Sequence, residues 1–214
     1  MSIREMWKSN AIELFLMILL NLALMSLGAL PWAVLGTLFL LGGMFFSYRQ
    51  GMGYGHQACA ILDSVNRAQQ PDSPARDQLD SKVLARAWSV DRGVKGALLS
   101  ALIPYVASCL YIAATLLKLE PLVLPCRLVA VVLAMPALPL ITYWVETFEK
   151  LTPAVTAVLM ISPFLLPACS LAGYLQGPRL WKRSEEAMAQ GRRRARAKSR
   201  VAKKRAPKQP KPEI

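Results

Sequence analysis

Histidine is nearly absent from this chain, and acidic residues are scarce. His56 is the single histidine, and the four cysteines, Cys59, Cys109, Cys126 and Cys169, share no CxxC spacing. Zinc sites draw several His and Cys ligands together at short spacings, so no metal site is expected. A Ser-His-Asp set has one histidine to build on, and no HExxH, Walker A sequence or paired intramembrane Asp occurs. The expectation is a non-enzymatic protein without a cofactor. Three of the cysteines fall in apolar runs, where a thiol is usually a small buried hydrophobe.

The scarcity of acid is local. The chain has 26 Lys+Arg and 13 Asp+Glu. Residues 178–214 hold 14 of those basic side chains and 3 of the acidic ones, which leaves 12 and 10 for the rest. The net charge of +13 therefore divides into about +11 on a tail and +2 on a body. The body lacks charge altogether over the runs 14–48, 96–117, 128–145 and 151–178. Roughly 20 apolar residues of helix cross a hydrocarbon layer about 30 Å thick. These runs predict an all-α integral membrane helical bundle with about five apolar segments.

The first run is too long for one span. Gly28 and Pro31 in SLGALPW supply a turn at its middle, giving a tight hairpin. A secretory signal is the competing reading of the basic start and LGALPWA, but a second apolar run follows without a break. The organisation expected is 1–48 as N-terminal stub and transmembrane hairpin, 49–95 as a helical connection, 96–178 as a proline-rich transmembrane region and 179–214 as a polybasic tail. Prolines 121, 125, 136 and 139, then 153, 163, 167 and 178, predict a kinked second half.

GGMFFSYRQGMGYGHQACA looks like a phosphate loop, yet it lacks the strand and the Lys-Ser/Thr such a site needs. On a helix, Gly43, Ser47, Gly51, Gly55 and Cys59 recur every four residues and form one small-residue stripe. Such stripes let membrane helices approach closely. The stripe predicts that helix 32–66 runs past the membrane surface and packs on a neighbour near residues 47–59, either within the chain or in a homodimer. Shorter series occur at Gly93, Ala97, Ala101 and at Cys169, Gly173, Gly177. Ser73 and Pro74 predict a helix start, with Leu79, Val83, Ala87 and Val90 on one face and Trp88 beside it. That helix either rests at the interface or packs on the helix before it.

Lys and Arg in short loops stay cytoplasmic. The N-terminal stub with Arg4 and Lys8, the seven basic residues of 49–95, and the tail all belong inside on that rule. Three simple crossings after residue 95 would put the tail outside. Either 121–145 enters and returns or lies shallow, or the protein has five plain spans with its N-terminus out. The first reading is preferred, and it makes this a protein of the cytoplasmic (inner) membrane with both termini cytoplasmic.

Ionisable residues in mid-span are costly and mark function. Arg127 is the candidate intramembrane charge, with snorkelling to headgroups as the bland alternative. Glu13, at the start of the first helix, has a bland electrostatic reading too. The tail is the stronger signal. Arg192, Arg193, Arg194, Arg196, Lys198, Arg200, Lys203, Lys204 and Arg205 come without an aromatic for base stacking, so phosphate contact is what they offer. Membrane lipid and ribosomal or other RNA are the two partners considered, with a tail that only fixes topology as the bland alternative; lipid or topology is preferred to RNA. Trp181 is placed near the headgroups, and Glu185 and Glu186 are placed to pair with Lys182 and Arg183.

The stub EMWKSNAIELFLMILLNL, the turn ALPWAVLG and the approach RAWSVDRGVKGALLSALIPY resemble the YesL type of small bacterial polytopic membrane protein. The resemblance covers roughly the first half of the chain. It implies an integral membrane accessory protein, in some cases working beside transporter subunits, and carries no catalytic residues. The function expected is thus an accessory or scaffold protein with a lipid-contacting tail. A transporter component, or a biogenesis factor holding the ribosome, is the alternative.

Overall fold

The computed structural model describes residues 3–69, 81–142 and 151–205. Its helices are α1 (Ile3–Met25), α2 (Ala29–Ala68), α3 (Ser81–Leu84), α4 (Val90–Leu116), α5 (Glu120–Ala134), α6 (Pro153–Leu175) and α7 (Gly177–Arg205), and a 3-10 segment, Met135–Ile141, follows α5. No strand occurs among the described residues. Five helical stretches are long and apolar enough to cross a membrane: Ile3–Met25, Ala29–Ala68, Val90–Leu116, Glu120–Ile141 and Pro153–Arg196. The fold is an all-α helical bundle of membrane type, interrupted by prolines in its second half.

The hairpin turns where glycine permits it. Gly28 sits at φ 100°, a left-handed angle that costs glycine nothing, and its carbonyl accepts the Trp32 N–H at 3.1 Å. Pro31 lies in the first turn of α2, where its missing N–H breaks no helical bond. The turn is latched from inside, because the Trp32 indole N–H donates to Asn21 Oδ1 at 3.1 Å and Asn21 donates to the Met17 carbonyl at 2.9 Å.

The bundle has small residues inside and large ones outside. Ala58, Ala101, Ala114, Ala130, Ala134 and Ala137 are buried, whereas Phe15, Leu38, Phe45, Ile103, Leu128 and Ile161 are exposed. Water would drive those large side chains inward. Lipid supplies no such drive, and close packing of small residues holds the helices together instead.

Two ends of the bundle follow from the pairings. Met6 packs on Gly96, Tyr174 on Gly93, and the Tyr174 carbonyl on Gly55, so these define one end, from which α7 departs. Leu24 and Trp32 mark the other, with the hairpin turn. α4 runs from the first end to the second, and Tyr111, near its finish, packs with Val155 near the start of α6. α6 then returns to the first end. Between them, α5 goes in and comes back. Leu133 reaches the level of Leu14, Leu40 and Leu165. Pro139 then lies against Gly36 and beside Asn21, so closely that a Cβ on Gly36 would meet the Pro139 Cγ at 2.5 Å. Ile141 ends beside Tyr111 and Val155, where Ala130 also packs. Pro136 and Pro139 convert the α-helix to a 3-10 path at Met135, which turns the chain around about halfway through the bundle.

One expectation needs correction. The helix expected to run through Leu79, Val83, Ala87 and Val90 is not continuous. Its first half lies outside the described residues, α3 ends at Leu84, and Ser89 is extended (φ −160°) as the N-cap of α4. The Trp88 N–H donates to the Ala58 carbonyl at 3.0 Å and its ring stacks on Tyr174 at 6.3 Å, so Trp88 is a packing residue between helices. The kink expected in the proline-rich run 151–178 is present: Pro163 and Pro167 sit inside a continuous α6, and the interruption falls at Gln176, before Pro178.

Candidate functional site

The small-residue stripe of α2 meets a second one on α6 and α7. Gly51 and Gly55 form one G-x-x-x-G step, Gly173 and Gly177 the other. A Cβ on Gly51 would fall on the Ser170 carbonyl, one on Gly173 on the Tyr48 carbonyl, and one on Gly55 on the backbone of Tyr174 and Gly177. Ser47 and Cys59 are buried along the same face. Gly43, one step earlier, faces α1, where the Met17 methyl lies 3.0 Å from the place of its Cβ. All five stripe residues therefore face neighbours within the chain.

Beyond this crossing α2 and α7 leave the bundle side by side. His56 and Ser184 are 3.2 Å apart through Nε2 and Oγ, and the His56 and Trp181 rings meet edge-on at 5.1 Å. Arg67 pairs with Asp63 at 2.5 Å on its own helix and with Glu185 of α7 at 3.5 Å. Both pairs are exposed, and such pairs contribute at most about 1 kcal/mol. One sequence expectation shifts here: the partner of Glu185 is Arg67 of α2, not a neighbour on α7. Farther along, an open groove of about 740 Å³ runs between the helices, with Asp63 and Arg67 on one wall and Arg192, Arg193 and Arg196 on the other. Arg194 is exposed on the same stretch of α7. Lys198, Arg200, Lys203, Lys204 and Arg205 continue the helix, their side chains lying outside the described set.

A second polar arrangement lies inside the bundle. Asn10, Glu13, Met17 and Asn21 of α1 fall at helical spacing on one face and all four are buried. Asn10 donates to Ser100 Oγ on α4 at 3.0 Å. Glu13 is 7% exposed, and its Oε2 accepts from Ser47 Oγ on α2 at 2.6 Å. Its Oε1 and the Asn10 Oδ1 have no partner in the structure. The sequence reading passed over Asn10, Asn21 and the Glu13–Ser47 pair. The i, i+3, i+7, i+11 spacing of the four α1 residues is the signal that would have found them.

Arg127 is half-buried on α5, two turns in from Glu120, within electrostatic range of Tyr111. It sits toward the hairpin-turn end and does not join Glu13. Among the described residues no three His, Cys, Asp or Glu side chains gather as metal ligands would. No protein-family model, curated protein or solved structure matches the chain.

Proposed function

We propose that this is a non-enzymatic membrane accessory protein of the biogenesis class, which uses α7 as a basic arm to hold the phosphate backbone of ribosomal RNA at the cytoplasmic face. The observation that carries the reading is the path of α7 along α2. Arg49 is two residues from Gly51 and Arg179 two from Gly177, while Lys8, Arg92 and Lys95 lie within two residues of Met6, Gly93 and Gly96, which pack at the same end of the bundle; this ring of cations supports a headgroup level at the crossing. Arg192 lies 15 residues beyond Gly177 in one helix, about 22 Å farther out at 1.5 Å per residue. The field of an anionic bilayer falls off within a Debye length, about 8 Å at physiological salt. An arm buttressed by α2 through His56 and Arg67 is therefore poorly disposed toward the lipid contact preferred from sequence, and well disposed toward a polyanion standing off the membrane.

The re-entrant path of α5 supports the sidedness this needs. Four full crossings and one return leave the N-terminal stub, residues 49–95 and the tail on a single side, the one their Lys and Arg favour. The accessory role implied by the YesL-type resemblance agrees with the reading. The test is co-sedimentation of the detergent-solubilised full chain with ribosomes across a salt series. Binding is expected to fall steeply with salt. Replacing Arg192, Arg193, Arg194 and Arg196 by Gln should flatten the log–log slope by about 0.7 for each phosphate no longer neutralised. If the same variant sediments unchanged but loses flotation with phosphatidylglycerol vesicles, the arm is a lipid contact and the proposal is overturned.

A further inference from the structure

We infer that the lateral cleft between α1 and α2 is a binding site for a lipophilic monocation, held by the carboxylate of Glu13. The cleft holds about 320 Å³ and is lined by Glu13, Met17, Gly43, Phe39 and Phe46, with Ser9 and Gln50 at its upper end. Its class of ligand follows from three features. Glu13 is the one ionisable lining group, and among the described residues no ion pair reaches it, its hydrogen-bond partner being the neutral Ser47. Oε1 is unpartnered and lies over Gly43, 3.6 Å from where a Cβ would stand. A buried carboxylate with one unpartnered oxygen, on a residue that lines the cleft, calls for a positive partner, since an uncompensated charge there is costly.

The route of entry selects a lipophilic partner. A hydrogen bond from Ser9 Oγ to Gln50 Oε1 closes the cleft toward the aqueous end. Ile12, Leu16, Phe39 and Phe46 are exposed around its mouth, so the opening faces the bilayer. Two aromatic rings beside a carboxylate suit an organic cation, whose charge is attracted both to the carboxylate and to the ring faces. The cleft volume lies at the small end of ordinary ligand sites, about 300–1,000 Å³. This site is separate from the α7 arm, and its test does not involve the tail.

The probe is tetraphenylphosphonium, titrated calorimetrically into the full chain in detergent, with the neutral triphenylphosphine oxide as control. The phosphonium is expected to bind and the oxide not. Glu13→Gln, nearly isosteric and still able to accept from Ser47, should weaken phosphonium binding about tenfold or more. Equal binding of both probes, or unchanged binding by Glu13→Gln, overturns the proposal. A measurement on the unmutated protein guards against a folding failure of the variant. Dicyclohexylcarbodiimide labelling of Glu13, read by mass, should slow when phosphonium saturates the site. Labelling indifferent to phosphonium overturns the inference, as does protection by phosphatidylethanolamine alone.

Discussion

The glycines of α2 provide a matched set for testing how the bundle is held. Gly51 and Gly53 are two residues apart on one helix, yet a Cβ on Gly51 would fall on the Ser170 backbone, and one on Gly53 would meet nothing within 4 Å. Gly53→Ala gains only the helical preference of alanine, up to about 1 kcal/mol. Gly51→Ala gains the same but must push α6 away from α2. The obstruction is a backbone carbonyl, which cannot swing aside as a side chain does. Overpacking of this kind costs about 1–3 kcal/mol, and because the helical gain is common to both, Gly53→Ala and Gly51→Ala should differ by roughly that 1–3 kcal/mol. Gly43→Ala belongs between them, since its obstruction is the end of the Met17 side chain. Gly51→Ala combined with Gly173→Ala should cost less than the sum, because one separation of α2 from α6 relieves both. SDS titration of mixed micelles, followed by circular dichroism, reads these differences. If Gly51→Ala is as stable as Gly53→Ala, α2 and α6 do not approach each other as closely as their glycines require.

Single-cysteine labelling from outside intact cells, in a background without the four native cysteines, should modify Leu119→Cys and Phe148→Cys together while sparing Gln69→Cys. Labelling of only one of the first two would mean that the segment after α4 crosses fully. Asn21→Ala leaves the Trp32 indole N–H without its acceptor in a site where Asn21 is 0% exposed, and should cost about 0.6–1.7 kcal/mol in the same SDS titration. No loss there would mean that the indole finds another acceptor. Arg67→Ala removes two exposed ion pairs and should change stability by less than about 1 kcal/mol. A larger loss would make the α2–α7 contact ionic at heart. Lys118 holds φ 53° at the end of α4, with the Leu119 N–H bonded to the Ala114 carbonyl at 2.9 Å. Lys118→Gly should therefore stabilise by about 1 kcal/mol, and a destabilised variant would contradict that left-handed cap.

What could be read from the residues, and what could not, divides along the range of the interactions. Spans declare themselves by length, because a charge-free run of 35 residues such as 14–48 has no soluble packing to match it. The hairpin at Gly28 and the stripe on α2 are equally local, since one needs a left-handed residue and the other a period of four. The short length of α3 was hidden for the opposite reason. Its apolar residues have a helical spacing, but the Trp88 N–H goes to Ala58, a partner 30 residues away that ends the helix by supplying a bond outside it. The position of α7 was hidden in the same way. Nothing in RLWKRSEEAMAQ says that Trp181 will meet His56 or that Glu185 will meet Arg67, yet those contacts hold α7 alongside α2.

The inner face of α1 shows why a membrane sequence conceals its polar sites more than its packing. Asn10, Glu13 and Asn21 are separated by apolar residues and dilute into a hydrophobic run, so composition draws notice only to Glu13, at the start of the span. Their meaning comes from three different partners: Ser100 on α4, Ser47 on α2 and Trp32 beyond the hairpin turn. Two of these bonds leave an oxygen unsatisfied, on Asn10 and on Glu13. The third is complete and lies at the hairpin, where α1 and α2 are covalently tied and a latch suffices. A buried acceptor left without a partner costs a folded protein about 1–3 kcal/mol, so the unpartnered oxygen of Glu13, over Gly43 and on a residue that lines a cleft, is better explained by a ligand than by packing. That contrast between Asn21 and Glu13, on one face of one helix, separates the part of α1 that holds the bundle from the part that is available to bind.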